Sequence, residues 1–209
     1  MENWLIWLLA IIISLGVLGF TLRKPPVITD EPVNWDKLWN DTSVFGPTVL
    51  TAEQLDSYAR TRNPNTPALG QYYVKWGKYY GIRGDVVYAQ SIHETGFFKY
   101  GGDVVPEQNN FAGIGTTGGG VKGHFFKTPE EGVIAQFQHV WAYSTTDPLP
   151  SYPELVDPRY HLVKRGVAPT WPDFDGKWAV PGKGYGQRVL NYWKEMVRYH
   201  KIYDPYAKN

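Results

Sequence analysis

Residues 84–96, Gly-Asp-Val-Val-Tyr-Ala-Gln-Ser-Ile-His-Glu-Thr-Gly, decide the fold of this chain. The stretch has the length of a helix, and its apolar residues fall on two stripes, so the helix is expected to be central rather than peripheral. Gly96 is a natural residue to end it, which leaves Glu94 in the last turn. The stretch therefore predicts a buried helix that carries one carboxyl group near its C-terminus.

Four further helices are predicted around this one, at about residues 51–60, 67–80, 128–144 and 185–203. The spacing of Thr51 and Gln54 predicts a capping box, and Thr128-Pro129 supplies the cap and the proline that open a helix. Residues 111–114 and 121–126 flank a glycine-rich turn and predict two short strands. The predicted fold class is mainly α, a helical domain with one short β-hairpin, preceded by an N-terminal transmembrane helix.

The chain divides into three parts by composition. Residues 1–22 are predicted to be a transmembrane anchor or signal segment, residues 23–47 an extended, proline-containing linker, and residues 48–209 the globular domain. The uncharged apolar run at residues 4–20 would span roughly 26 Å as a helix, slightly less than a hydrocarbon core of about 30 Å. An anchor is favoured over a signal peptide, because the first three residues carry no Lys or Arg and no small-residue cleavage site follows.

The charges beside this run give an orientation. Glu2 precedes it, and Arg23 and Lys24 follow it, so the positive-inside rule would leave the large domain in the cytoplasm. Two cations make a weak bias, and the function argued below requires the opposite side.

The overall composition excludes several classes of function. A net charge of +1, with both signs spread along the chain, gives no basic surface for nucleic acid. The absence of cysteine excludes disulfides and thiolate nucleophiles. The five histidines form no HExxH motif and no phosphate-binding loop is present, so no metal and no cofactor are predicted.

Glu94 is the first candidate for chemistry. A carboxyl at a helix C-terminus meets the negative end of the helix dipole, and Phe97 and Phe98 are expected to shield it from water. Both effects favour the protonated form and raise the pKa of Glu94. A carboxyl that stays protonated near neutral pH is what a general acid needs to protonate a glycosidic oxygen. The alternative is a surface glutamate that happens to end a helix.

Three motifs, in this order, resemble the bacterial endo-β-N-acetylglucosaminidases of glycoside hydrolase family 73. They are residues 89–96, residues 109–114 (Asn-Asn-Phe-Ala-Gly-Ile) and residues 178–182 (Trp-Ala-Val-Pro-Gly) followed by Tyr185-Gly186. The resemblance covers about residues 51–203. It implies a lysozyme-like fold, Glu94 as the catalytic acid, and cleavage of the β-1,4 bond of peptidoglycan on the GlcNAc side. Its implied partner is the glycan strand of peptidoglycan, which requires the catalytic domain on the cell-wall side. The apolar run at residues 4–20 separately predicts binding to a membrane.

The second carboxylate is where the chain departs from that family. Family members often carry an acid on a longer hairpin, whereas residues 116–125 contain no Asp or Glu. Two-carboxylate hydrolysis needs a partner roughly 5–9.5 Å from the acid, and Asp103 is predicted in that role, with Glu107 as a second candidate. The alternative is that both are solvated loop acids without a catalytic role. In the alternative route the substrate's own 2-acetamido oxygen attacks the anomeric carbon, and the residues leave this choice open.

Five residues are predicted to bind substrate: Asn109, Asn110, Gly113, Trp178 and Tyr185. The two asparagines would offer amides to N-acetyl or hydroxyl groups, or would simply hold a turn. Gly113 would let a sugar approach the backbone. Trp178 occupies a position where the resembled family more often has Tyr, and Tyr185 would supply a hydroxyl nearby.

Two other functions remain open at this point. A lytic transglycosylase would use one Glu as both acid and base and leave an anhydro sugar, which suits the missing hairpin carboxylate. An inactive, membrane-tethered glycan-binding or scaffold module would suit both that loss and Trp178 in place of Tyr.

Overall fold

The computed structural model describes residues 32–207. Within that range six α-helices are present: α1 (Trp35–Asn40), α2 (Ala52–Arg60), α3 (Gly70–Tyr80), α4 (Gly84–Thr95), α5 (Pro129–Ser144) and α6 (Tyr185–Tyr199). Short 3₁₀ helices lie at Pro106–Gln108, Tyr160–Leu162 and Trp171–Phe174. The domain is therefore mainly α, as the sequence predicted.

Helix α4 is the centre of the fold. Ten of its twelve residues are buried, and it packs between α3 and α6. Helices α3 and α4 cross closely at Gly77 and Gly84, where a Cβ on Gly77 would lie 2.7 Å from the Gly84 Cα. Any side chain at this crossing would push the two helices apart, so the prediction of a central helix is confirmed together with a local reason for its position.

The helix ends follow the predicted local signals. Gln54 N–H donates to Thr51 Oγ1 (3.2 Å) and Thr51 N–H donates to Gln54 Oε1 (2.9 Å), which completes the capping box of α2. Thr128 Oγ1 accepts from Glu131 N–H (3.1 Å) at the start of α5. Gly96 ends α4 with φ +58° in the left-handed region, where glycine carries no steric penalty. This cap fixes Glu94 in the last turn of α4.

Part of the segment predicted as a linker packs against the domain. Leu38 and Trp39 of α1 are buried, and the Trp39 ring lies 6.1 Å from that of Trp193 in α6. Residues 23–31 of the linker and the predicted anchor at residues 4–20 lie outside the described residues. A search of residues 32–207 for a helix of sufficient length and apolarity to cross a bilayer found none.

The predicted β-hairpin is wrong. Residues 111–126 form an irregular loop, and strand-like pairing among residues 32–207 is limited to isolated bridges at Ser43–Thr170, Phe45–Ile82 and Asp175–Ala179. Gly113, inside the first predicted strand, has φ +63°, which is incompatible with an extended strand. The Asn110 side chain bonds both Ile114 and His124 backbone groups and so takes the place of a strand ladder.

Candidate active site

A cleft of about 210 Å³ opens over the C-terminal end of α4. The last turn of α4 forms one wall and contributes Glu94, and the loop that follows contributes Tyr100 and Asp103. Gly113, from the loop that replaces the predicted hairpin, closes the other side. The end of the most buried helix is thereby exposed to solvent at one carboxyl group.

The two oxygens of Glu94 have different surroundings. Tyr185 O–H donates a hydrogen bond to Oε1, and the Trp178 indole N–H lies close enough to the same carboxyl group to lower its pKa. Oε2 faces Gly113, since a Cβ built on Gly113 would lie 3.7 Å from it. One oxygen of Glu94 is therefore held against α6 and the other is directed towards the cleft.

Burial raises the pKa of Glu94 from its ordinary value of 4.5 to about 7, although the donors Tyr185 and Trp178 pull that pKa down. The residue as a whole is half-buried, so its carboxyl end is dry enough to stay protonated and open enough to reach a ligand. Of the two rings expected to shield it, Phe97 packs on Tyr192 and Phe98 packs on Phe111.

A buried polar chain stands behind Tyr185. Gln90 Nε2–H donates to the Tyr185 hydroxyl oxygen (2.8 Å), and Gln136 Nε2–H of α5 donates to Gln90 Oε1 (2.9 Å). Both glutamines are fully buried. Sequence reasoning missed them, although a signal exists: Gln90 precedes Glu94 by one helical turn, and Gln136 interrupts an apolar run in α5.

Asp103 lies in the same cleft as Glu94. It is half-buried, and its Oδ1 accepts from Gly120 N–H at 3.1 Å. Glu107 is exposed on the 3₁₀ helix Pro106–Gln108 and does not line the cleft. Between the two acids suggested by the sequence, the structure brings Asp103 to the site.

The two asparagines take different positions. Asn110 is fully buried, with Oδ1 accepting from Ile114 N–H (2.9 Å) and Nδ2 donating to two backbone carbonyls, so its amide is committed to the loop. Asn109 donates to Phe126 O (2.9 Å) and lines a second cavity of about 490 Å³. Tyr100 lines both this second cavity and the cleft of Glu94.

Trp178 is fixed from behind by side chains of α5. Its ring lies 5.0 Å from that of His139 and 5.9 Å from that of Tyr143. His139 Nδ1 and Asp157 Oδ2 are 2.7 Å apart in a buried pair. The indole therefore still supplies a hydrogen-bond donor to Glu94 where the resembled family more often has a tyrosine.

Comparisons with known proteins identify a family. The family model described as "Glucosaminidase: Mannosyl-glycoprotein endo-beta-N-acetylglucosaminidase" matches residues 70–198, a range that contains the whole cleft. A curated relative, an "Uncharacterized protein" of Borreliella burgdorferi, is 42% identical over 120 residues. That match covers 57% of this chain and 57% of the relative, so the chain spans little more than half the length of that protein.

Proposed function

This chain belongs to the glucosaminidase family, and on that premise we propose that it is a peptidoglycan hydrolase that cuts the β-1,4 glycosidic bond on the GlcNAc side. One observation carries the proposal. Glu94 has a pKa of about 7, one oxygen held by Tyr185 and the other facing the cleft. A general acid for glycoside cleavage needs this combination of retained proton and fixed direction.

In the proposed reaction, Glu94 gives its proton from Oε2 to the bridging oxygen. The bond between that oxygen and the anomeric carbon breaks, and its electron pair goes to the departing hydroxyl. Glu94 becomes a carboxylate in the same step, and the hydrogen bonds from Tyr185 and Trp178 strengthen as the charge develops. Both donors are in place before the reaction, so little reorganisation is needed.

The attack on the anomeric carbon has two routes. In the first route Asp103, which lines the cleft with Glu94, activates a water molecule. Alternatively the substrate's acetamido oxygen attacks first, and water then opens the cyclic intermediate. We propose Asp103 as the base, because it shares the cleft with Glu94 while Glu107 does not.

The size of the cleft favours a polymeric substrate. About 210 Å³ is below the ~300–1,000 Å³ of pockets that enclose a whole small ligand, so only part of a glycan fits over Glu94. We propose that the strand continues across Tyr100 into the larger cavity lined by Asn109. A path that continues beyond the cleft suits an extended glycan strand.

The test is the Glu94→Gln variant on purified cell walls, with products identified by mass spectrometry. Wild type should release fragments with GlcNAc at the reducing end, and the variant should bind walls but release none. Glu107→Gln, an exposed carboxyl outside the cleft, is the matched control and should keep full activity. Anhydro products from the wild type would instead identify a lytic transglycosylase, and wall binding without any release would identify a glycan-binding module.

We propose further that residues 4–20 anchor the domain on the cell-wall side of a membrane, because its substrate lies there. Arg23 and Lys24 favour the opposite orientation. Protease added to intact cells should degrade the domain. Protection of the domain until the cells are broken would reject this placement.

A further inference from the structure

We propose that Gln90 and Gln136 are positioning residues that fix which oxygen of Glu94 carries the proton used in catalysis. The inference rests on the proposed function only in taking Glu94 as the proton donor. It depends on a chain of hydrogen bonds that runs from α5 through α4 to α6 and ends at the cleft.

The chain consists of four fully or half-buried side chains. Gln136 donates to Gln90 at 2.9 Å, Gln90 donates to the Tyr185 oxygen at 2.8 Å, and the Tyr185 hydroxyl donates to Glu94 Oε1. Gln90 and Gln136 are 0% exposed and Tyr185 is 1% exposed. Water therefore does not substitute for any of the three partners behind Glu94.

The direction of the chain follows from a fixed acceptor. Gln136 Nε2 lies 3.3 Å from the carbonyl oxygen of Val87, and a carbonyl oxygen can only accept. The amide nitrogen of Gln136 must therefore face α4. Since it then donates to Gln90, the oxygen of the Gln90 amide faces Gln136 and its nitrogen faces Tyr185. The single hydroxyl hydrogen of Tyr185 is left to point at Glu94.

The other end of the Gln136 amide agrees with this direction. Its Oε1 lies 2.8 Å from the Tyr73 hydroxyl and 2.9 Å from the Ser91 hydroxyl. The two hydroxyls also lie 2.6 Å apart, so the hydrogen of one bonds the other hydroxyl and the remaining hydrogen is donated to Oε1. An amide rotated by 180° would place its nitrogen against these hydroxyls and its oxygen against the Val87 carbonyl, two oxygens with no hydrogen between them.

The consequence concerns the carboxyl group at the end of the chain. Because Oε1 receives the hydrogen of Tyr185, and the carbonyl oxygen of a carboxyl group accepts a hydrogen bond better than its hydroxyl oxygen does, this bond favours the proton of Glu94 on Oε2. That oxygen faces Gly113 and the cleft. The glutamines thus act on the reaction through Tyr185, without touching substrate.

Charged and titratable groups from three parts of the fold lie near Glu94 and Tyr185. On α6, Arg188 acts on Tyr185 electrostatically. On α4, the His93 ring lies 5.4 Å from that of Tyr185. Asp103 lines the same cleft as Glu94. Among the described residues, the groups that hydrogen-bond the Glu94 carboxyl are Tyr185 and Trp178, both uncharged.

The decisive variant is Gln136→Met, because the Gln136 side chain bonds Gln90 and contacts neither Glu94 nor Tyr185. It frees the Gln90 amide to rotate, so that Tyr185 donates to Gln90 for part of the time. Because the Tyr185 bond lowers the pKa of Glu94, we expect the Glu94 titration, followed by carbon-13 NMR, to move upward by about half to one pH unit. We also expect kcat on cell walls to fall about tenfold with KM unchanged.

A double-mutant cycle separates positioning from general loss of packing. In a Tyr185→Phe background, Gln136→Met should cause no further movement of the Glu94 titration, because the group that transmits the effect is gone. Tyr88→Phe is the matched control, since Tyr88 is buried on α4 and its hydroxyl donates to Asp56 at 3.1 Å. It should leave the Glu94 titration where it is.

Two outcomes would overturn the proposal: an unchanged Glu94 titration in Gln136→Met, or an equal movement with and without the Tyr185 hydroxyl. The titration does not depend on substrate, so a correct cycle without wall cleavage would reject the proposed function and keep the positioning role. If Gln136→Met does not fold, an NMR measurement on the wild type still tests the direction of the hydrogen-bond chain. A nuclear Overhauser contact between the Gln90 amide hydrogens and the Tyr185 hydroxyl hydrogen supports the direction, and its absence rejects it.

Discussion

We expect Glu94→Gln to stabilise the protein at pH 8 and to leave its stability at pH 4 nearly unchanged. The pKa of Glu94 rises from 4.5 to about 7 on folding, mainly through burial. The unfolded chain therefore releases this proton at a lower pH than the native state does. Between these values the native state binds more protons than the unfolded state, so its stability falls as pH rises. A glutamine has no proton to release and removes this dependence.

The size of the effect follows from the two pKa values. Each pH unit between 4.5 and about 7 corresponds to ~1.4 kcal/mol, so above pH 7 the buried carboxylate costs the native state about 3 kcal/mol. For a chain of this length that is about 6–12 °C in melting temperature. Below pH 4.5 both states hold the proton and the cost disappears. Protonated Glu and Gln offer Tyr185 and Trp178 similar groups, so the comparison of the two pH values isolates the ionisation.

The assay is chemical denaturation of wild type and variant at both pH values. Glu53→Gln is the control, because the Glu53 side chain is 81% exposed on α2 and its replacement should change stability by less than about 0.5 kcal/mol at either pH. If the gain of Glu94→Gln at pH 8 exceeds that at pH 4 by no more than this control, Glu94 ionises like an ordinary carboxyl. The argument that it delivers a proton at neutral pH would then fail.

Three further predictions concern activity. The value of kcat/KM should fall above about pH 7, where Glu94 loses its proton. Tyr185→Phe should move this fall upward by about one pH unit. The control Tyr88→Phe should leave it at the same pH. Trp178→Tyr should keep activity within about tenfold because a donor remains near Glu94, whereas Trp178→Phe should lose more, as measured by release of reducing sugar. Asp103→Asn should lower kcat about a hundredfold if Asp103 is the base, and a loss below tenfold would assign the attack to the acetamido oxygen instead.

Local signals explain what the sequence could predict of the fold. The capping box at Thr51, the cap at Thr128 and the terminal Gly96 each act within one helical turn, and each helix end was found at that residue. The hairpin prediction failed because it, too, relied on local signals alone. Alternating residues around a glycine turn describe many hairpins, but here a single side chain, Asn110, bonds the backbone of both arms. A polar residue that replaces a strand ladder has no periodic signature.

The candidate site was predictable in part for a related reason. Glu94 stood out because its position in a helix and its chemistry are both readable along the chain. Gln90 and Gln136 did not, since their partners lie 95 and 46 residues away and only the packing of three helices brings them together. Trp178 was named from the sequence as a substrate-binding residue, but its orientation could not be predicted, because it depends on the His139 ring of α5.

Glu94 has uncharged hydrogen-bonding partners, and these suit both its protonated form and its carboxylate form. A general acid must begin uncharged and end as a carboxylate. A Lys or Arg against Glu94 would stabilise the carboxylate so strongly that the proton would be lost well below neutral pH. Burial alone would hold the proton but leave the product charge unsupported. A hydroxyl and an indole N–H, from Tyr185 and Trp178, bond either state, lower the pKa only modestly and strengthen when charge appears. The buried amides behind Tyr185 are uncharged as well, so they can direct its hydrogen without adding a charge that would disturb this balance.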